Sequence, residues 1–257
     1  MKRIPLFLFF LSVAVVLLAI YWPEQPRPVV DGGSFRVVAV HGNSGAAAVR
    51  DVINRGLQAV DSVRRPVVGE AAVALYKCRP ESPLMNFAAD ALLEMAQRHS
   101  TAKVDVAITN YGGLRSELQQ GVVTFGDVYN VFPFDNTLAF LTLDGGQLWR
   151  LCSEVAAVGG EAISGMGITM TPQGTLLSVM VAGEPLDTAR RYRVATSDYL
   201  AQGNDKMTTL ALGCEREFFP SITIRDLMVQ YIKERSERGE AISAVCDGRI
   251  TINENPL

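Results

Sequence analysis

Histidine is nearly missing from this chain: His41 and His99 are the only two in 257 residues. Two isolated imidazoles cannot supply a histidine-rich dimetal centre, which needs several converging ligands around an in-line water. Cysteine is sparse as well. The four present, Cys78, Cys152, Cys214 and Cys246, form no C-x-x-C pair and lie far in sequence from either histidine, so no zinc-ligand spacing occurs. Basic charge is not in excess either; a net charge of −3 argues against a nucleic-acid backbone as ligand. The largest basic cluster, Arg190-Arg191, runs into strand-like residues and reads as a solvated turn. No internal repeat and no low-complexity tract interrupts the globular part.

Apolar residues, in contrast, are plentiful. At 48% hydrophobic content the chain can bury a sizeable core, and its length permits one or two domains. The first 22 residues stand apart: Lys2 and Arg3 precede an uncharged run from Ile4 to Trp22. That run is close to the ~20 residues that cross a bilayer as a helix. It ends in Tyr21-Trp22-Pro23, aromatics suited to a membrane interface, and no good Ala-x-Ala cleavage site follows. Two readings stay open for residues 1–22, a signal anchor inserted through 4–22 and a cleaved signal peptide. Both place the remainder outside the cytoplasm, in the periplasm or at the cell surface. Residues 23–33, with Pro23, Pro26, Pro28 and Gly32-Gly33, form a linker. Residues 34–252 read as one domain. Disulfides are permitted there, and the sequence leaves open three full pairings and buried free thiols alike.

Periodicity gives an alternating pattern of helices and strands. Val49, Val52, Ile53, Leu57 and Val60 repeat at helical spacing after Ser44. Val67 to Leu75 is β-like. Ser82-Pro83 opens a helix whose apolar face is Leu84, Phe87, Ala88, Ala91, Leu92 and Met95. Val104 to Thr109 reads as a buried strand, Thr124 with Asp127 caps a short helix, and Thr137 to Leu143 is a second buried strand. Asp144 caps a helix through about Ala157. From Gly167 to Thr196, turns at Pro172-Gln173-Gly174 and Gly183-Glu184-Pro185 separate short antiparallel strands. A late helix carries Ile224, Leu227, Met228, Tyr231 and Ile232, and Arg249 to Ile252 closes the chain as a strand. This mixture predicts an α+β domain, a mixed sheet with packed helices, rather than a doubly wound sheet.

Three loops carry candidate chemistry. Thr109-Asn110-Tyr111-Gly112-Gly113-Leu114-Arg115 follows a buried strand. Its glycines admit close backbone approach, Asn110 offers an amide, and Arg115 a fork for an anion. In Val131-Phe132-Pro133-Phe134-Asp135-Asn136, the proline turn can expose Phe134, although a core aromatic is the commoner outcome. Thr196 to Asp205 places Tyr199 and a carboxylate in a turn-rich segment.

Taken together, these segments resemble the C-terminal domain of the secreted and periplasmic 5′-nucleotidases. That family carries a T-N-G-G-G-I-R loop, a tyrosine-rich short helix leading to L-P-F-G-N, and a T-N-D-F-L-A-x-G-G-D-G segment. The matches here are Thr109 to Arg115, Phe125 to Tyr129 leading to Phe132 to Asn136, and Thr196 to Lys206. An upstream E-x-x-x-G-N-L-x-x-D-A element is matched by Glu81 to Ala91, and Asp247-Gly248-Arg249-Ile250 matches the closing strand. The resemblance spans roughly Val67 to Ile252.

The resemblance implies a nucleobase sandwiched by Phe134 and Tyr199. It implies Asn110 on the base beside Gly113, Arg115 on phosphate, Asp205 on the ribose hydroxyls, and Arg79 as a second phosphate-facing cation. Departures from the family pattern are Tyr111, expected to narrow the pocket, Asp135, expected to repel an anion, and Asn204 with Lys206. Family members hydrolyse at a two-metal centre in a separate metallophosphatase domain, and no Asp-x-His or Gly-Asn-His motif occurs here. The expectation is therefore no catalytic residue, no metal ligand and no cofactor in this chain. Divalent metals are expected only in a separate metallophosphatase subunit that docks with it. The ligand expected is a nucleoside monophosphate or related nucleotide, and the alternative role is a membrane-tethered binding protein without catalysis.

Overall fold

In the computed structural model of the chain, residues 44–212 and 215–254 are described. The segments 1–22 and 23–33, and with them the membrane or signal helix, lie outside the described residues, as do His41 and Cys214. No helix among the described residues is long and apolar enough to cross a membrane. The chain divides into two units at Arg50/Asp51, and the first falls almost wholly outside the described residues.

Helix α1 (Ser44–Arg64) forms as its periodicity predicts, but its apolar stripe, Val52, Ile53, Val60 and Val63 among it, is exposed. Strand β1 (Val67–Ala71) pairs antiparallel with β3 (Gly121–Thr124). The expected strand through Leu75 stops at Ala71; Leu75 instead makes an isolated bridge to Leu118. Helix α2 (Pro83–Gln97) starts at Ser82, whose hydroxyl accepts from the Met85 amide at 3.3 Å, with Pro83 in the first turn. Short β2 (Val106–Thr109) runs into a single 3₁₀ turn, Tyr111–Gly113. Helix α3 (Phe125–Val131) is closed by a capping box between Thr124 and Asp127, and α4 (Gly145–Ala157) by one between Asp144 and Gln147.

Strands β4 (Thr137–Asp144), β5 (Ala162–Ser164), β9 (Arg191–Ser197) and β10 (Arg216–Thr223) join β2 in a five-stranded mixed sheet of order β10-β4-β9-β2-β5. Between β5 and β9 lie β6 (Met166–Met170), β7 (Leu176–Val181) and β8 (Glu184–Pro185). With closing β11 (Ile250–Ile252) they make a second sheet, β11-β6-β7-β8, in which β6, β7 and β8 pair antiparallel as the turns predict. One-turn helix α5 (Asp198–Ala201) follows β9, and α6 (Ile224–Glu237) follows β10. The fold is α+β.

Alternation along the strands assigns the two faces of the large sheet. Ala107, Leu138, Phe140, Ala162 and Ala195 face one core with α2 and α6, where Leu84, Leu92, Met95, Leu227 and Ile232 are buried. Val106, Ile108, Ala139, Leu141 and Val194 face the other core, against Leu148, Leu151 and Val155 of α4 and Ile168 and Val179 of the second sheet. A sheet buried on both faces offers its strand ends as the places where loops can carry polar chemistry.

Candidate functional site

Three neighbouring strands bring the three candidate loops together. Strands β2 and β9 run parallel, so Thr109 and Ser197, their C-terminal ends, point to the same edge of the sheet. Strand β4 runs antiparallel to β9 with Leu138 opposite Ser197, so the start of β4 lies at that edge too. The loop after β2, the loop before β4 and the α5 segment after β9 therefore meet. Local chemistry fixes each: the Asp198 carboxylate accepts from the Thr137 amide at 2.8 Å, and the Ser197 hydroxyl caps α5 through the Leu200 amide at 3.2 Å.

Between the loops is a cleft of ≈ 270 Å³, lined by Asn110, Gly112, Gly113, Arg115, Phe134, Asn136, Tyr199 and Asp205. Six of the seven residues singled out from sequence line it. The Phe134 ring is 48% exposed and Tyr199 37% exposed, against the expectation that an aromatic after Pro133 would enter the core. Phe132, two residues earlier, takes that buried place instead.

Asp205 organises the polar side. Its carboxylate accepts from Asn110 Nδ2 and, at 2.9 Å, from the Tyr199 hydroxyl. That hydrogen bond to Asp205 is the first cause raising the Tyr199 pKa, so the phenol stays a donor. Asp205 and Lys206 both have positive φ, at 53° and 67°, a conformation held by the loop and uncommon for residues with side chains. Gly113 has no such φ but is needed for closeness. A Cβ there would sit 2.6 Å from Asn110 Oδ1.

Arg115 is exposed and donates to the Gly112 carbonyl at 3.3 Å. Among the described residues it has no carboxylate within salt-bridge distance, so its charge is left facing the cleft. Asp135 was expected to repel an anion, and the structure corrects this. The Asp135 carboxylate is ion-paired to Arg225, whose guanidinium also donates to the Phe132 carbonyl at 3.2 Å. The acid is neutralised and holds the Phe134 loop in place.

Arg79 and Tyr111 also sit differently from expectation. Neither lines the main cleft; both line an adjoining depression with Gly112, Glu161, Asp205 and Lys206. Tyr111 does not narrow the pocket, because its ring is turned away beneath two cations, with Lys77 Nζ 3.8 Å and the Arg79 guanidinium carbon 4.6 Å from its centroid. Arg79 is committed to Glu161 at 2.7 Å, and the other Glu161 oxygen accepts from the Tyr111 amide. Glu161 is 3% exposed, and burial pushes its carboxyl pKa up against the opposing pull of the Tyr111 amide and Arg79. Burial pushes the Lys77 ammonium down, with Arg115 and Arg79 adding to the effect. Sequence reading missed Glu161, Lys77, Asn136 and Arg225. Asn136 stood inside a matched motif, whereas nothing local marks Glu161, whose partners are 82 and 50 residues away.

Among the described residues, no three His, Cys, Asp or Glu side chains converge as a metal-ligating group. His99 lies beyond α2 and tilts against Phe219, 6.4 Å between centroids, and does not line the cleft.

Comparison with known proteins identifies the family of the domain. The model for the 5′-nucleotidase C-terminal domain matches residues 67–212. The trifunctional nucleotide phosphoesterase protein YfkN of Bacillus subtilis (strain 168) is 29% identical over 74% of this chain and 14% of its own length. The cell wall protein Lmo0130 of Listeria monocytogenes is 30% identical over 66% of the chain and 23% of its own length. Among solved structures, a 5′-nucleotidase precursor from Thermus thermophilus aligns with 82% of this chain and 44% of its own, at 27% identity and a TM-score of 0.70. This chain thus spans less than half the length of each of these relatives. The chain belongs to the 5′-nucleotidase C-terminal domain family.

Proposed function

We propose that the cleft binds a nucleoside monophosphate or a related nucleotide. On this reading the chain is the substrate-binding part of a 5′-nucleotidase whose metal chemistry resides in a separate exported metallophosphatase subunit. The observation that carries the reading is the cleft itself: two exposed aromatic rings, Phe134 and Tyr199, beside an arginine, Arg115, that has no carboxylate partner among the described residues. Every nucleobase has a π-face, so the two rings hold a base with little regard to its identity. The Arg115 fork takes phosphate oxygens, and Asp205, already the acceptor of the loop, takes ribose hydroxyls. Asn110 spends Nδ2 on Asp205, which leaves Oδ1 to accept from a base amine.

The cleft does not fit a metal pair. Among the described residues Asp205 is the one acid lining it, and His99 lies elsewhere, against Phe219. This chain's residues bind and orient; bond cleavage falls to the partner. The segment 4–22 would hold the chain at the outer face of a membrane, in keeping with the precursor and cell wall relatives.

Calorimetry on the full chain with AMP, adenosine and inorganic phosphate, followed by phosphate release from AMP with an exported metallophosphatase encoded beside it, tests both halves. The split enzyme predicts AMP binding, a complex and a rate gain. Binding of AMP or adenosine with no complex and no rate gain would instead identify a tethered binding protein. No binding of either would sink the proposal.

A further inference from the structure

Cys78 and Cys246 are exposed free thiols 168 positions apart in sequence, yet both sulfurs approach one atom. Cys78 Sγ lies 3.4 Å and Cys246 Sγ 3.8 Å from the Glu81 carbonyl oxygen. Their convergence is built by the backbone around them. The buried Glu81 carboxylate accepts from the Asp247 amide at 2.7 Å and the Gly248 amide at 3.3 Å, and Asn86 Nδ2 donates to the Val245 carbonyl at 2.8 Å. Both flanks of Cys246 are thus pinned to the start of α2. On the other side, the Lys77 amide donates to Glu117 at 3.1 Å and the Leu84 amide to the Tyr76 carbonyl at 3.2 Å, which holds the loop that carries Cys78.

We propose that Cys78 and Cys246 form a reversible disulfide that clasps the closing segment to the loop bearing Lys77 and Arg79. The oxidant is a disulfide-bearing molecule, a small disulfide or a thiol–disulfide oxidoreductase. The Cys78 thiolate attacks one sulfur of that disulfide and expels the other as a thiolate, leaving a mixed disulfide. The Cys246 thiolate then attacks Sγ of Cys78 and displaces the remaining oxidant thiolate. Two protons leave the cysteines and two electrons pass to the oxidant, which ends as two thiols. Burial, Glu81 and Cys78 together raise the Cys246 pKa, which suits that residue to the resolving step rather than the first attack. Cys152 stays out of this chemistry. It is buried beside the Met166 sulfur at 3.8 Å, and desolvation pushes its pKa to about 12.

The pairing is read covalently, independently of any nucleotide. The full chain is equilibrated in oxidised and reduced glutathione, its free thiols are blocked with iodoacetamide, and it is digested without reduction. The expected product is a Cys78–Cys246 linked peptide that is absent from Cys78→Ser and from Cys246→Ser. Because the link closes a loop of about 170 residues, the oxidised chain should melt above the reduced chain, and reductant should erase the difference. Recovery of both cysteines alkylated or singly glutathionylated across the series, or linked to Cys152 or Cys214, would overturn the proposal.

Discussion

At the scale of single residues, the site depends on who is paired with whom. Gly113 is the tightest case, since an added Cβ would fall 2.6 Å from Asn110 Oδ1. Gly113→Ala should push Asn110 off Asp205 and lower AMP affinity by about tenfold, the value of one hydrogen bond, with little change in melting temperature; titration calorimetry and a thermal scan read the two. Glu161 makes a pH prediction. Its pKa is raised chiefly by burial, so the folded chain holds this proton to higher pH than the unfolded chain does. Stability from this group is present at low pH and is lost as pH rises from the ordinary glutamate value, about 4.3, through the raised native one. The unfolding free energy of the native chain minus that of Glu161→Gln should therefore fall with rising pH across that window and be flat above it, as measured by urea midpoints. Such pairings explain what sequence could not show. Phe134, Tyr199 and Arg115 were legible because they stand in ordered motifs, whereas Asp135 looked like free negative charge because Arg225 is 90 residues away. Tyr111 looked like an obstruction because nothing in the sequence places Lys77 and Arg79 over its ring.

At the scale of elements, most boundaries were written in the caps. Ser82, Thr124 and Asp144 each precede a helix and each accepts from an amide of its first turn. Asp144→Ala removes the side-chain acceptor of the Gln147 amide, while the backbone amide of residue 144 can still donate to Gln147 Oε1. It should cost about 1 kcal/mol, seen as a lower urea midpoint with unchanged ligand affinity, since Asp144 is at the opposite end of β4 from the cleft. Strand β10 was not foreseen. Its sequence, Arg216-Glu217-Phe218-Phe219-Pro220-Ser221-Ile222-Thr223, carries charges and a proline that argue against a strand. It exists because it is an edge strand on β4, where charges point to solvent and Pro220 falls in the shifted stretch between Phe219 and Thr223. The strand expected through Leu75 failed for the opposite reason. Its apolar end serves the core from a loop rather than from a ladder.

At the scale of the molecule, the account rests on sheet order. No residue of the cleft is near all the others in sequence; the sheet gathers them because parallel β2 and β9 present their C-terminal ends, and antiparallel β4 its start, at one edge. Strand types were legible, and their order was not, since periodicity reports a face and not a neighbour. The sheet thereby makes one testable object of Phe134, Tyr199, Arg115 and Asp205. Affinity of the full chain for AMP, measured by calorimetry for the native chain, Phe134→Ala and Tyr199→Ala, tests that object most directly. Each substitution should weaken binding by roughly 5- to 150-fold, the worth of one base–aromatic stack at about 1–3 kcal/mol, while the melting temperature stays put because both rings are exposed. AMP bound equally well by all three proteins would place the nucleotide elsewhere and contradict the account.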